Sequence, residues 1–230
     1  MYDVRLSGHE LKGNSPLADR NMNTEQRSQF CREVAVLLTE RPSVTGSADE
    51  ASFGPWLAAL LTERTEFGKD PKIWTFPVAE GDARHVVVML VRRSGSGTVV
   101  LTGHYDTVTI ADYGELAMVA TRPDALLEAM SKKLSAARAG SAEALARDDL
   151  TSGNYLPGRG LLDMKAGLAA GLAAIASLCS NQGLEQGNLL FIAVPDEENA
   201  SAGARAAAEH LDDIATQNDL RIEVVSSKSP

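Results

Sequence analysis

Two stretches, Val86-Val87-Val88-Met89-Leu90-Val91 and Leu189-Leu190-Phe191-Ile192-Ala193-Val194, decide the fold. Neither alternates polar with apolar residues, as a strand with one wet face would. Six successive apolar residues suit a strand covered on both faces, the place that α/β sheets give their central strands. Working outward, 73–78 and 98–102 read as further strands, Ser94-Gly95-Ser96-Gly97 as a tight turn, and 221–225 as a last strand.

The segments between carry helical spacing. Asn23-Thr24-Glu25-Gln26 offers a cap and an N3 Gln for a helix bearing Phe30, Val34, Leu37 and Leu38, ended by Pro42. Ser47-x-x-Glu50 is a second capping box ahead of Phe53, Trp56, Leu57, Leu60 and Leu61, although Gly54-Pro55 should kink or restart that helix. A long excursion over 107–157 holds an Ala- and Leu-rich helical stretch at 124–146. A helix of small residues at 164–179 puts Leu168, Leu172 and Ile175 on one stripe, and a further helix covers 201–217. The expected fold is α/β, a three-layer sandwich whose mostly parallel, mixed sheet is flanked by helices. It forms a single domain over 1–230, with a loose polar arm at 1–22.

Composition removes several function classes. The chain of 230 residues has 31 acidic against 22 basic side chains, a net charge of −9, and no Lys/Arg cluster interleaved with aromatics, which argues against nucleic acid. Cys31 and Cys179 do not make a disulfide framework. The polar N-terminus lacks the apolar core of a signal peptide, and no apolar run is expected to approach membrane-spanning length. These features point to a cytoplasmic protein with no membrane association.

Three turns carry the chemistry: His104-Tyr105-Asp106 after the 99–102 strand, Asp163 in Gly158-Arg159-Gly160-Leu161-Leu162-Asp163-Met164-Lys165, and Asp196-Glu197-Glu198 after the 189–194 strand. In open α/β sheets, sites form beyond the carboxyl ends of the strands, so folding can gather the three. His104 supplies a nitrogen suited to Zn²⁺, and the carboxylates supply oxygen. Asp106 lies close enough to accept a hydrogen bond from the second ring nitrogen of His104. Asp163 can bridge two ions, and of Glu197 and Glu198 one can bind metal while the other takes a proton from water. Plainer readings stand beside these. Asp163 suits the N-cap of the 164–179 helix, and Asp196-Glu197-Glu198 suits a solvated acidic first turn. His9 and His85 have no carboxylate in matching context, and His210 sits among Ala and Glu on a helix, as a surface residue would. Gly158-Arg159-Gly160 lacks the third glycine of a dinucleotide fingerprint.

Taken together, Gly103-His104-Tyr105-Asp106-Thr107-Val108, Gly158-Arg159-Gly160-x-x-Asp163-Met164-Lys165-x-Gly167 and Asp196-Glu197-Glu198 resemble the M20 metallopeptidase family over roughly residues 24 to 220. Pro42-Ser43-Val44-Thr45-Gly46 and the segment from Asp112-Tyr113-Gly114 look most like its arginine-utilisation branch. The resemblance implies a zinc-exopeptidase-like fold and a hydrolase that cleaves an amide bond in an N-acyl amino acid or short peptide. It also implies two divalent metal ions, Zn²⁺ with Co²⁺ or Mn²⁺ as substitutes. His104 and Glu198 would each ligate one ion, Asp163 would bridge, Asp106 would orient His104, and Glu197 would be the general base. The family's further ligands have no match in Val224-Val225-Ser226-Ser227-Lys228-Ser229, and its lid or dimerisation domain is expected to lie outside this chain. A truncated catalytic domain with weak metal binding and little turnover is therefore expected, with a homodimer only in a longer form. The alternative is a non-catalytic remnant or binding module that keeps the fold.

Overall fold

The computed structural model describes residues 22–180 and 186–227. The polar arm expected at 1–22 lies outside the described residues apart from Met22. That residue is buried, and its N–H donates to Ser180 Oγ at 3.1 Å.

The two apolar runs behave as their lack of alternation predicts. In β2 (His85–Val91), Val87, Met89 and Val91 enter one core, while Val86, Val88 and Leu90 enter another. In β4 (Gln186–Val194), Phe191 and Ala193 join the first core, and Leu190, Ile192 and Val194 the second. Burying such a side chain contributes about 1.5–3 kcal/mol, so a six-residue run is worth most where helices cover both faces. One face carries α1 (Thr24–Glu40), α2 (Ala48–Thr62) and α5 (Ala166–Ser180); the other carries α6 (Ala202–Gln217).

The remaining strands are β1 (Lys72–Pro77), β3 (Ser94–His104) and β5 (Arg221–Ser227), and the sheet order is β1-β2-β4-β3-β5. The β1–β2 and β2–β4 pairs are antiparallel, whereas β3 runs parallel to both β4 and β5. The sheet is thus mixed, and the carboxyl ends of β3 and β4 lie side by side.

Local signals set the helix ends. Asn23 and Gln26 form the reciprocal capping box, with bonds of 2.8 and 2.9 Å. Ser47 caps α2 through the Glu50 amide at 3.2 Å, but the Glu50 side chain does not close the expected box and reaches elsewhere. Pro55 does not restart α2, which runs unbroken to Thr62. Phe53, Leu57 and Leu61, buried on the core side of the helix, hold it across the lost backbone bond.

Three expectations need correction. Ser94-Gly95-Ser96-Gly97 is no tight turn between neighbours, because β4 separates β2 from β3; these residues open β3 and pair with Gln186 before a register shift. The single helix expected at 124–146 is two, α3 (Pro123–Leu134) and α4 (Ala142–Thr151), divided where Gly140 turns with φ 79° and Ser141 caps the second through the Ala144 amide. Finally, Leu161–Ser180 is long and apolar enough, by length and composition, to cross a membrane, at 20 residues and mean hydropathy 1.5. Asp163 and Lys165 interrupt the run only at its first turn, and the helix is built into the core through Leu168, Leu172, Ile175 and Ala176.

Candidate metal centre

His104 is the last residue of β3, paired with Val194 at the end of β4, so both strands deliver their following turns to one place. Tyr105 anchors the first turn. Its N–H donates to Val194 O at 2.9 Å, its hydroxyl donates to His85 O at 2.8 Å, and its fully buried ring stacks on Phe53. Since successive residues of an extended chain point to opposite sides, sinking Tyr105 in the core turns His104 and Asp106 the other way.

Two glycines let the Asp163 segment close on this turn. A Cβ at Gly160, where φ is 74°, would meet Thr107 Cγ2 at 2.2 Å, so the segment touches the 104–107 turn only because that position lacks a side chain. A Cβ at Gly103 would meet the terminal methyl of Met164 at 2.4 Å and Leu168 Cδ2 at 3.0 Å. The result is that Asp163 Oδ1 lies 3.1 Å from His104 Nε2. The Asp163 side-chain bond goes to His104 rather than to an amide of the helix that follows.

Ligand atoms of His104, Asp163 and Glu198 all lie within 4.8 Å of one another. His104 is buried, Glu198 half-buried, and the Asp163 side chain is 58% exposed, so the cluster opens to solvent on the Asp163 side. The second ring nitrogen, His104 Nδ1, lies 3.1 Å from Asp106 O and 3.4 Å from Asp106 Oδ1, so the backbone carbonyl is the nearer partner. Donating there leaves Nε2 facing the carboxylates.

The Asp106 carboxylate touches more than His104. It is fully buried; Oδ1 accepts from the Glu197 amide at 3.0 Å, and Oδ2 accepts from the Glu198 amide at 3.1 Å and from Thr45 Oγ1 at 2.8 Å. Burial would push its pKa up, but the bonds from His104 and these donors outweigh it and hold Asp106 below the usual carboxylate range. Burial likewise works against charge on His104, yet Asp106 and Asp163 prevail and raise it to about 9. Glu198 is pushed up, by burial first and then by the charge of Asp163. The three side chains are therefore an acid-rich set whose mutual repulsion a divalent cation would relieve. One imidazole with two carboxylates is a donor set suited to Zn²⁺, Co²⁺ or Mn²⁺.

Asp196 is not a solvated first-turn residue. It is buried with φ 66°; its Oδ1 accepts from Arg84 Nη1 at 2.6 Å, its Oδ2 from the Ala202 amide at 3.2 Å, and its own N–H donates to Glu50 Oε1 at 2.9 Å. Glu197 is exposed beside Glu198. Glu50 reads from sequence only as a cap residue and Ser43 only as part of the Pro42–Gly46 stretch, and Arg84 draws no notice; the Ser43 hydroxyl donates to Tyr105 O at 2.6 Å. The burial of Lys165 was not foreseen either; its Nζ donates to Arg41 O at 2.8 Å and sits 4.7 Å from the Phe53 ring centroid. A lysine at the head of an otherwise apolar helix was the available signal for Lys165. Of the histidines set aside, His210 is exposed and stacks on Phe76, His85 Nδ1 bonds Ala83 O, and His9 lies outside the described residues. Cys31 and Cys179 are half-buried free thiols on α1 and α5.

Residues 100–228, more than half of the chain, match the model for peptidase family M20/M25/M40. The chain is 32% identical over 203 residues to an uncharacterized protein, YqjN, of Bacillus subtilis, covering 86% of this chain and 36% of YqjN. It is 27% identical over 204 residues to Protein RocB of the same organism, covering 87% of this chain and 34% of that one. The chain therefore spans about a third of the length of these curated relatives. Among solved structures, human carnosine dipeptidase 1 superposes with a TM-score of 0.58 at 15% identity, over 90% of this chain and 39% of that chain. By its fold, its three motifs and this match, the chain belongs to peptidase family M20/M25/M40.

Proposed function

We propose that this chain carries the metal-binding part of a hydrolase that cleaves an amide bond in an N-acyl amino acid or short peptide. The observation that carries the reading is the convergence of His104, Asp163 and Glu198 within 4.8 Å from three separate turns, in a member of a peptidase family. A bound divalent ion would supply Lewis-acid polarisation of a carbonyl and a water acidified toward neutral pH. His104 and Glu198 would each supply a ligand to an ion, and Asp163 would be the carboxylate shared between two such sites. The three donors are enough for a single ion with an open position, and a second ion needs donors beyond them.

The protein groups divide the remaining work. Asp106 fixes the His104 ring so that Nε2 faces Asp163 and Glu198. At His104 Nε2 the proton, which Asp106 and Asp163 favour by raising the imidazole pKa, would compete with a metal ion. Glu197, exposed at the mouth, takes the proton of the attacking water and returns it to the leaving amine.

Zinc titration by calorimetry tests this. The native 230-residue chain should bind zinc in a His104-dependent way, far more tightly than a His104→Ala/Asp163→Ala double variant. Equal affinities for the two proteins would refute the metal centre.

A further inference from the structure

Glu50 is a fully buried carboxylate that the proposed chemistry does not use. Its two oxygens bind two different loops. Oε2 accepts from the Gly46 amide at 2.6 Å, within the 42–47 connection, and Oε1 accepts from the Asp196 amide at 2.9 Å, at the end of β4. The two next amides, of Glu197 and Glu198, are taken by Asp106. Three successive N–H groups thus point at two buried carboxylates, and the first of the three residues stands at φ 66°, a conformation rarely held by a residue other than glycine. The 42–47 connection is tied to the His104 turn as well. Thr107 N–H donates to Ser43 O, Thr45 N–H to Thr107 O, and Thr45 Oγ1 to Asp106 Oδ2.

We propose that Glu50 is a positioning residue for the metal centre. By clamping Gly46 and Asp196 together it fixes the 196–198 turn, and hence the Glu198 and Glu197 carboxylates, against the turn that bears His104. The inference rests on the metal-centre reading above. It gives a role to the Pro42–Glu50 region that a helix cap does not explain, because the cap needs only Ser47. Glutamine at position 50 has the same size but one acceptor fewer, so one of the two amides would face an NH₂ donor. Supporting bonds of this kind typically change metal affinity by about 10- to 100-fold.

The test pairs two measurements on the 230-residue chain, on Glu50→Gln, and on Ile175→Val as a core control remote from the turns. Hydrogen exchange by NMR on the metal-free proteins should show the Gly46 or Asp196 amide exchanging roughly tenfold faster in Glu50→Gln, the loss of one ordinary hydrogen bond. Zinc affinity of the folded fraction should fall about 10- to 100-fold in Glu50→Gln and stay unchanged in Ile175→Val. Unaltered exchange at both amides overturns the clamp. Faster exchange with unaltered zinc affinity overturns the positioning role and leaves a structural one. A native chain without His104-dependent zinc binding overturns the metal centre itself, and that outcome is visible before any variant is compared. If Glu50→Gln does not fold, Glu50→Asp replaces it, since one methylene fewer keeps the charge but cannot span both amides.

Discussion

Two ends of the same pair of strands solve one problem with different chemistry. Where β3 and β4 begin, Asn188 is buried beneath the crossing from β2 to β3. Its Oδ1 accepts from the Arg93 amide at 3.0 Å, and its Nδ2 donates to Gly95 O at 3.1 Å and Gly97 O at 3.3 Å. Where the strands finish, Glu50 and Asp106 do the holding, and every bond they make to the backbone is an acceptance from an N–H. A neutral amide both donates and accepts, and costs less to bury than a carboxylate. Charge at the far end fits a cation site: the amides solvate the inner carboxylates, and Asp163 and Glu198 would be left to face an ion. Buried polarity alone marks structure; buried negative charge beneath converging ligands marks a site.

The comparison can be broken most forcefully at Asp106. Asp106→Asn keeps the shape but sets an NH₂ group against an amide of Glu197 or Glu198, and zinc affinity should fall about 10- to 100-fold by calorimetry. An unchanged affinity would mean that the carboxylate does not organise the ligands. Its counterpart, Asn188→Ala, should lower unfolding free energy in urea by about 1–3 kcal/mol, the cost of leaving buried partners unsatisfied, with zinc affinity unaltered. If Asn188→Ala weakened zinc as Asp106→Asn does, the division between the two ends would be false.

Lys165 tests the electrostatics beneath the site. Burial lowers the Lys165 pKa from 10.5 to about 7, with the charge of Asp106 acting the other way. Between those values the unfolded chain holds the lysine proton and the folded chain does not, so this residue makes metal-free stability rise with pH across that window. His104, raised from 6.5 to about 9, works in the opposite sense: its contribution is present at low pH and is lost as pH rises through 9. The difference between the chain and Lys165→Met therefore isolates the lysine. Urea unfolding at several pH values should show the stability of the variant rising less, or falling more, between pH 7 and 10.5 than that of the chain. Parallel curves would place the lysine proton elsewhere.

Much of this architecture was legible in the sequence because it rests on local rules. The Asn23–Gln26 box, the two-faced runs in β2 and β4 and the Leu168–Ile175 stripe were each read from spacing alone, and each is present. The motif turns were legible too, and His104, Asp163 and Glu198 do converge. What escaped reading was long-range. Ser94-Gly95-Ser96-Gly97 has the composition of a turn, and only the insertion of β4 between β2 and β3 makes it strand. Glu50 occupies an ideal capping-box position, and nothing local reveals that its carboxylate leaves the cap for Asp196, 146 residues away in sequence.

Element types, the double-sided burial of the central strands and the side chains with metal-ligating chemistry are written in the sequence. These follow from periodicity and residue chemistry, which act within a few residues. Tertiary structure alone decided the strand order, the meeting of the three turns at the ends of β3 and β4, and the use of Glu50 and Asp106 as acceptors for amides far away in the chain. Those outcomes depend on which buried donor finds which buried acceptor, a condition set by the packed whole because an unmatched partner in the core is too costly to keep.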